Sequence, residues 1–470
     1  MRPLGILINR DATEPLQRQL EGALKSAILF GTLSPGERIL SSRELAHHLG
    51  LSRNTVLGAL AGLHAEGYLE SRARKGTFVA ARLHGWTKPA NARTRKAPPT
   101  PTTARKAEQR VDPEPGVAFR PGLPGLDLFP VASFRRALNS ARMTARSLDY
   151  PDPLGDRSLR NAIASRIRQT RGVVCEPEQV IVTSGAQGAF SLICRALLAN
   201  NETVIVEDPC YPSVRKTLAA FKSKIISGPV DEHGIDVSRL EGRRARLIYV
   251  TPSHQYPTGA ILSLDRRFAL LEWARISGAV IVEDDYDSEF TYTGRPLPAL
   301  QGLDRDGRVL YVGTFSKVLA PSLRVGYLVV PEGLRGMFRA IQDAISVGPS
   351  TLLQQALTTF IESGHLSRHI AKMRKAYDER RRVISELLSS VDGSPFAIRD
   401  SLAGLHFIAL LPRSIRDVDL AKRAASRGIV VPPLSGYCHE RPRLNGLVVG
   451  FAATAAKEAK AAVLALSAMV

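Results

Sequence analysis

A chain of 470 residues exceeds the size at which a single hydrophobic core stops growing, so two or three domains are expected. With 44% hydrophobic and 23% charged residues it has ordinary globular composition, and no apolar run approaches membrane-spanning length. The formal charge of +20 asks for an anionic partner, nucleic acid first and an acidic membrane surface second, while scattered Cys175, Cys194, Cys210 and Cys438 argue against a disulfide scaffold or structural zinc. Met1 to Arg10 lacks an apolar leader segment, and a cytoplasmic location is expected.

From Pro15 to Phe30, Leu16, Leu20, Leu24 and Ile28 recur at helical spacing, and Gly31 with Ser34-Pro35-Gly36 closes the segment. Ser42 is expected to cap a second helix that Gly50 stops after Leu49, and Ser52 a third running to Ala65 and ended by Gly67. Tyr68-Leu69-Glu70 and Thr77-Phe78-Val79 alternate like paired strands around a basic tip, Arg72 to Gly76. Three helices and a hairpin make a winged helix, expected over residues 1–80. In such a domain the second helix of the helix-turn-helix presents its N-terminus to base edges. Arg53 pairs with guanine and Asn54 with adenine in bidentate fashion, so these are the base-reading candidates. Ser52, Thr55, Arg43, Arg72, Arg74, Lys75 and Gly76 are candidates for backbone or minor-groove contact. His47 and His48 are neighbours that point to different sides of a helix, a poor metal site, and no metal is expected.

Residues 81–118 are rich in proline, with Arg82, Lys88, Arg93, Arg95, Lys96, Arg105, Lys106 and Arg110 opposed by Glu108 alone between Ala81 and Val111. They read as a semi-extended basic linker, either a solvated spacer or an added hold on DNA phosphates. Beyond it, residues 119–470 alternate apolar runs with amphipathic helices: Val180–Val182, Thr203–Val206, Leu247–Val250, Val280–Val282, Val309–Val312 and Val325–Val330. That pattern predicts an α/β domain with a largely parallel sheet. From about residue 360 to 470, helices over Leu366–Leu388 and Val418–Arg427 mix with short strands near Leu405–Leu410 and Leu447–Gly450, which predicts a small C-terminal α+β subdomain.

Three segments of this domain carry chemistry. Thr183-Ser184-Gly185-Ala186-Gln187-Gly188 follows a strand and opens a helix, where free amides and the helix dipole favour a phosphate. Glu283-Asp284-Asp285-Tyr286 sits at the C-terminal end of a strand, the usual ligand edge of an α/β sheet. Thr314-Phe315-Ser316-Lys317, followed by Arg324, supplies hydroxyls and a guanidinium suited to a phosphate and an amine able to form a Schiff base.

The stretch SSRELAHHLGLSRNTVLGALAGLHAEGYLESRARKGTFVA resembles the GntR family of winged-helix regulators, with Ser41 where that family usually has proline, a change expected to alter the helix start slightly. The three chemical segments, together with LFPVASFRRAL, YPDPLGDRSLRNAIASRIRQTRGV, VEDPCYPSVR, TPSHQYPTG and PLSGYC, resemble fold-type I aminotransferases, and the domain order resembles the MocR subfamily of GntR regulators over nearly the full chain. The resemblance implies a pyridoxal 5′-phosphate-dependent transferase fold behind the winged helix. It implies that Lys317 carries the cofactor as a Schiff base, that Asp284 pairs with the ring nitrogen, that Tyr286 bonds the phenolate oxygen and that Tyr211 stacks on the ring. Gly185, Ala186, Gln187, Thr314, Ser316 and Arg324 are then the phosphate cradle, and Tyr150 reaches a partner subunit's site in a homodimer, head-to-tail.

Two departures weigh on function. Tyr256 stands where aminotransferases have the asparagine of N-P-x-G, and Val448 where they have the arginine that clamps a substrate carboxylate. Arg441 or Arg443 could substitute for that arginine, or the effector is an amine, an uncommon amino acid or pyridoxal phosphate itself. Three functions stay open: a regulator of DNA binding or promoter activity that senses an effector through Lys317, a working aminotransferase with an appended DNA-binding domain, and a DNA-binding protein whose large domain only dimerises. The first is favoured, because a full DNA-binding module and a full cofactor set share one chain that lacks the carboxylate clamp.

Overall fold

A computed structural model describes residues 8–10, 12, 14–73, 75–83, 118–294, 297–345, 348–390, 394–440 and 444–470. Its contacts divide the chain into two units, Met1–Arg110 and Val111–Val470. In the first, α1 (Leu16–Leu29), α2 (Ser42–Leu49) and α3 (Arg53–Ala65) precede the hairpin β1 (Leu69–Arg72) and β2 (Gly76–Val79). The four-residue spacing of Leu20, Leu24 and Ile28 puts them on one face of α1, where they pack with Val56, Ala59, Leu60 and Leu63 of α3. Leu45, Leu69 and Val79 close the same core.

The start of α2 corrects the expectation for Ser42. Ser41 is the cap: its hydroxyl accepts from Glu44 N–H at 3.3 Å, and the Glu44 carboxylate accepts from Ser41 N–H at 2.8 Å. The reason is spacing, since the reciprocal S-x-x-E pair exists only when counted from Ser41. Ser41→Ala should therefore lower the stability of this unit by about 1 kcal/mol, while Ser42→Ala stays within about 0.5 kcal/mol. Calorimetry that finds the two variants equal would reject the assignment. Ser52 caps α3 as expected, accepting from Thr55 N–H at 3.1 Å.

The hairpin pairs Leu69 with Val79 through Arg72 with Gly76, and Arg38 adds a rung opposite Phe78. Gly76 has φ of +105°, a backbone that glycine adopts without strain. Ala81–Leu83 forms a short 3₁₀ turn, with Leu83 packed on this core and Arg82 donating to Gly67 O at 3.1 Å. The remainder of the basic segment, residues 84–117, lies outside the described residues.

In the second unit β3 (Val180–Thr183), β4 (Thr203–Asp208), β5 (Lys224–Asp231), β6 (Gly234–Ile235), β7 (Leu247–Val250), β8 (Val280–Asp285), β9 (Val309–Thr314) and β10 (Gly326–Val329) form one sheet in the order β3-β10-β9-β8-β7-β4-β5-β6. The sheet is mixed. β5, β4, β7, β8 and β9 run parallel, whereas β10 is antiparallel to both β9 and β3. The link from Phe315 to Val325 is too short for a crossover, so β10 turns straight back. Strand alternation sends Val204, Val206, Leu247 and Tyr249 to one layer and Ile205, Ile248 and Val250 to the other, which covers both faces with apolar packing.

A three-stranded antiparallel sheet, β11 (Ala397–Arg399), β12 (His406–Leu410) and β13 (Gly446–Gly450), packs with helices His365–Ser390, Asp417–Ala425 and Ala456–Ser467. Among the described residues no helix is long and apolar enough to cross a membrane.

Candidate cofactor site and DNA-reading helix

The carboxylate run at the end of β8 is resolved by strand alternation, which gives each acid a different neighbourhood. Glu283 is buried and accepts from Leu300 N–H and Gln301 N–H, both at 2.8 Å, and burial pushes its carboxyl up to about 7. Asp285 accepts from Arg171 Nε at 2.8 Å and from the Tyr311 hydroxyl at 2.6 Å. Burial alone would raise the Asp285 carboxyl, but Arg171 and the hydroxyls of Ser288 and Tyr311 prevail and hold it below the usual carboxylate range. Asp284 Oδ2 accepts from the Tyr249 hydroxyl, while Oδ1 is sealed from solvent without a hydrogen-bond partner among the described residues. Burial pushes the Asp284 carboxyl up to about 6, against the lowering effect of Tyr249.

Lys317 follows β9 on the same sheet end. Its Nζ donates to Gly122 O, and burial holds the amine below its ordinary range despite Asp287 and Asp284 nearby. β10 brings the phosphate candidates together, because Gly326 lies in register with Thr183 on one side and Thr314 on the other. Any Cβ on Gly326 would come 2.7 Å from the Gly185 backbone, so only glycine lets the loops approach this closely. Gly185, at φ of +80°, caps helix Ala186–Leu197, whose first amides have no intrahelical acceptor. Arg324 sits in left-handed backbone at φ of +52° and donates to Ser184 O at 3.0 Å, which sets its guanidinium over this turn. Thr314 Oγ1 accepts from Ser316 N–H at 3.1 Å, and Gln187 donates to Thr217 Oγ1.

Around these lies an aromatic cluster. Tyr256 is edge-on to Tyr211, Tyr286, Tyr437 and His406, with ring centroids 5.5, 5.8, 5.4 and 4.9 Å away. The Tyr286 hydroxyl donates to His254 O at 3.0 Å, and the His254 ring is fixed by Asp287 at 3.0 Å and Ser401 at 2.8 Å. Burial, with His254 adjacent, lowers the His406 imidazole to about 3 and keeps it neutral. Val448, opposite Ile408 in the C-terminal sheet, is buried with Leu434 and Tyr437. Tyr150 is 94% exposed, and Arg441 and Arg443 lie outside the described residues.

In the first unit Arg53 and Asn54 are exposed at the N-terminus of α3, and Arg43 is exposed on α2. The hydroxyls of Ser52 and Thr55 lie 2.8 Å apart, engaged in the helix start. Arg72 is bonded to Glu70 at 2.7 Å and lies over the Phe78 ring at 4.5 Å, so its charge is shared. Lys75 is exposed and Arg74 lies outside the described residues.

Sequence reasoning did not find Tyr249, Arg171, His254, His406, Tyr437 or Arg38. Tyr249 carried a signal, a hydroxyl near the end of an otherwise aliphatic buried strand, and such a group needs a partner. Arg171 carried none, because a basic residue closing a helix reads as solvated. Arg38 lies before α2 in sequence but its Nε comes within 3.1 Å of where a Gly76 side chain would begin.

Comparison with known proteins agrees with both halves. Residues 16–79 match bacterial regulatory proteins of the gntR family, and residues 123–461 match aminotransferase class I and II. The chain is 37% identical over 454 residues to a probable rhizopine catabolism regulatory protein MocR of Rhizobium meliloti, covering 95% of this chain and 92% of that one. It is 34% identical to the pyridoxine biosynthesis transcriptional regulator PdxR of Corynebacterium glutamicum, covering 95% and 94%. Among solved structures, the α-aminoadipate aminotransferase LysN of Thermus thermophilus, complexed with N-(5′-phosphopyridoxyl)-L-leucine, superposes with a TM-score of 0.68 at 27% identity over 75% of this chain and 91% of that one. A GntR winged helix followed by a class I and II aminotransferase domain, shared almost end to end with such regulators, places the chain in the MocR-type branch of the GntR family of transcriptional regulators.

Proposed function

We propose that the winged helix binds an operator in double-stranded DNA, and that the second unit holds pyridoxal 5′-phosphate at Lys317 and senses an amine or amino-acid effector there. The observation that carries the cofactor half is Asp284 Oδ1, a buried acceptor on the ligand edge of the sheet with no protein donor among the described residues. A protonated ring nitrogen is the donor it suits, and a negative Asp284 keeps that nitrogen protonated. The rest of the donor set fits the same molecule. Gly185, Ala186 and Gln187 offer helix N-terminal amides, and Thr314, Ser316 and Arg324 offer hydroxyls and a guanidinium, to a phosphate. Tyr286 offers a hydroxyl already oriented by His254, and Tyr211 offers a ring face. When bound, the cofactor supplies an aldehyde that captures primary amines and a ring that withdraws electrons. Lys317, with its amine pKa depressed by burial, spends more of its time as the neutral nucleophile.

Arg53 and Asn54 read bases, and Arg43, Ser52, Thr55, Arg72, Lys75 and the Gly76 backbone meet phosphates or the minor groove. The protein acts as a homodimer, in which exposed Tyr150 reaches the partner's site. An effector regulates only if it binds two conformations unequally, so its amine must favour one state of the second unit.

Operator binding of the full chain, measured with and without pyridoxal phosphate and a panel of amines, amino acids and keto acids, tests this reading. Visible absorption is followed in parallel. An amine that shifts both signals without sustained product supports a sensor; continued turnover makes the protein an aminotransferase, and no response of either signal overturns the reading. In the same assay Arg53→Ala should weaken operator binding by about 1–3 kcal/mol, roughly 5- to 150-fold, and leave cofactor absorption intact. Unchanged affinity would remove Arg53 from the reading set.

A further inference from the structure

Val448 leaves the C-terminal sheet with an apolar side chain, buried beside Ile408, Leu434 and Tyr437, at the position where aminotransferases carry a cation. A different cation runs alongside. The segment that opens the second unit lies against β13: Gly450 N–H donates to Phe119 O at 2.9 Å, and a Cβ on Gly450 would come 2.4 Å from Arg120 O. Two residues further on, Gly122 O accepts from Lys317 Nζ. The Arg120 backbone thus runs beside the strand that lacks the arginine, two residues before the carbonyl that accepts from the reactive amine.

The segment is well anchored. Phe119 is fully buried in the core with Phe407 and Phe451, at φ of +65°, and its N–H donates to Thr454 Oγ1 at 2.8 Å. Arg120 itself is half-buried, and its charge helps to hold the Lys317 amine down. Among the described residues no carboxylate lies within ion-pair distance of it. Two other arginines of this unit are already committed, Arg380 to Asp127 and Arg381 to Asp378 and Asp400. A half-buried arginine without a counter-charge among the described residues suits a planar anion, which a guanidinium holds through two parallel hydrogen bonds.

We propose that Arg120 binds the anionic group of the effector, taking over from the neighbouring segment the role of the arginine absent at position 448. The effector is then a primary amine that also carries a carboxylate or similar anion, rather than a simple amine. This inference rests on the sensor reading above, and the test separates the two.

Full-length protein loaded with pyridoxal phosphate is titrated with glycine, β-alanine and longer straight-chain amino acids, each against its carboxamide, following visible absorption. The acid of at least one pair should outbind its amide by roughly 30-fold or more, as expected when one partner of a desolvated charge pair is lost. Arg120→Met should erase that preference and keep the cofactor band, and Arg120→Lys should restore part of it. If acids are preferred equally by Arg120→Met, or if amides bind the parent protein as well as acids do, the role of Arg120 is overturned and amine sensing survives. Loss of the cofactor band in Arg120→Met would instead make Arg120 part of the cofactor's own hold, also overturning the proposal. If no acid or amide perturbs the band, sensing and this inference fall together.

Discussion

Lys317→Ala is expected to bind operator DNA yet to lose both the visible band of bound pyridoxal phosphate and every change in DNA binding that cofactor or amine brings about. The reason is chemical rather than steric. In the proposed site the phosphate, ring nitrogen and phenolate contacts fall to other residues, so the variant should retain some affinity for the cofactor; what it lacks is the amine that donates to Gly122 O under the influence of Asp287 and Asp284. The measurement is paired, absorption on one hand and operator affinity with and without ligand on the other. A variant that keeps the band would reject Lys317 as the attachment point. A variant that loses the band but keeps the regulated response would show that the large unit serves DNA binding without its cofactor.

The second large effect is on stability. Arg171 closes helix Arg157–Arg171 and turns inward to Asp285, with side-chain exposures of 4% and 1%. Its remaining nitrogens donate to Leu297 O at 3.0 Å and Ser253 Oγ at 2.7 Å, so one guanidinium ties a helix, the end of β8 and two loops. Arg171→Met should destabilise the second unit by about 3–5 kcal/mol, because it strands a buried carboxylate. Arg171→Met combined with Asp285→Asn should recover part of that loss, since no charge is then left alone. Urea unfolding followed in the second unit gives both numbers, and a neutral single variant would mean that Asp285 has another counter-charge.

The acid dependence follows from the direction of the shift. Asp285 titrates below its unfolded range, so its contribution is present above that range and is lost as pH falls through the folded value. The gap between parent and Arg171→Met should therefore narrow in acid.

Composition and spacing carried much of this molecule. Helical spacing found the buried face of α1, and Ser52 marked the start of α3 because its neighbours follow the capping pattern. Six aliphatic runs located β3, β4, β7, β8, β9 and β10, but β5 was not recognised: Lys224–Asp231 carries glycine, proline and charged ends, and only pairing with β4 makes it a strand. The antiparallel course of β10 was likewise missed, because its aliphatic run looks like those of the parallel strands and only the short link from Phe315 to Val325 sets it apart. At the site, Lys317, Asp284 and Arg324 stand in recognisable strand-end contexts. Their supports come from distant segments, as with Tyr249 under Asp284 and Ser401 behind His254, 147 positions apart, and no local pattern announces such meetings.

Tyr256 has a mechanical consequence. Its ring spans from Tyr211 and Tyr286, which follow β4 and β8, to His406 of β12 and to Tyr437, whose hydroxyl lies 3.3 Å from its own. Edge-to-face rings packed at these distances transmit displacement with little slack. In the proposed sensor the residue that departs from the enzymes' pattern would act as a strut, through which a tilt of a ring resting on Tyr211 would pass to the C-terminal sheet.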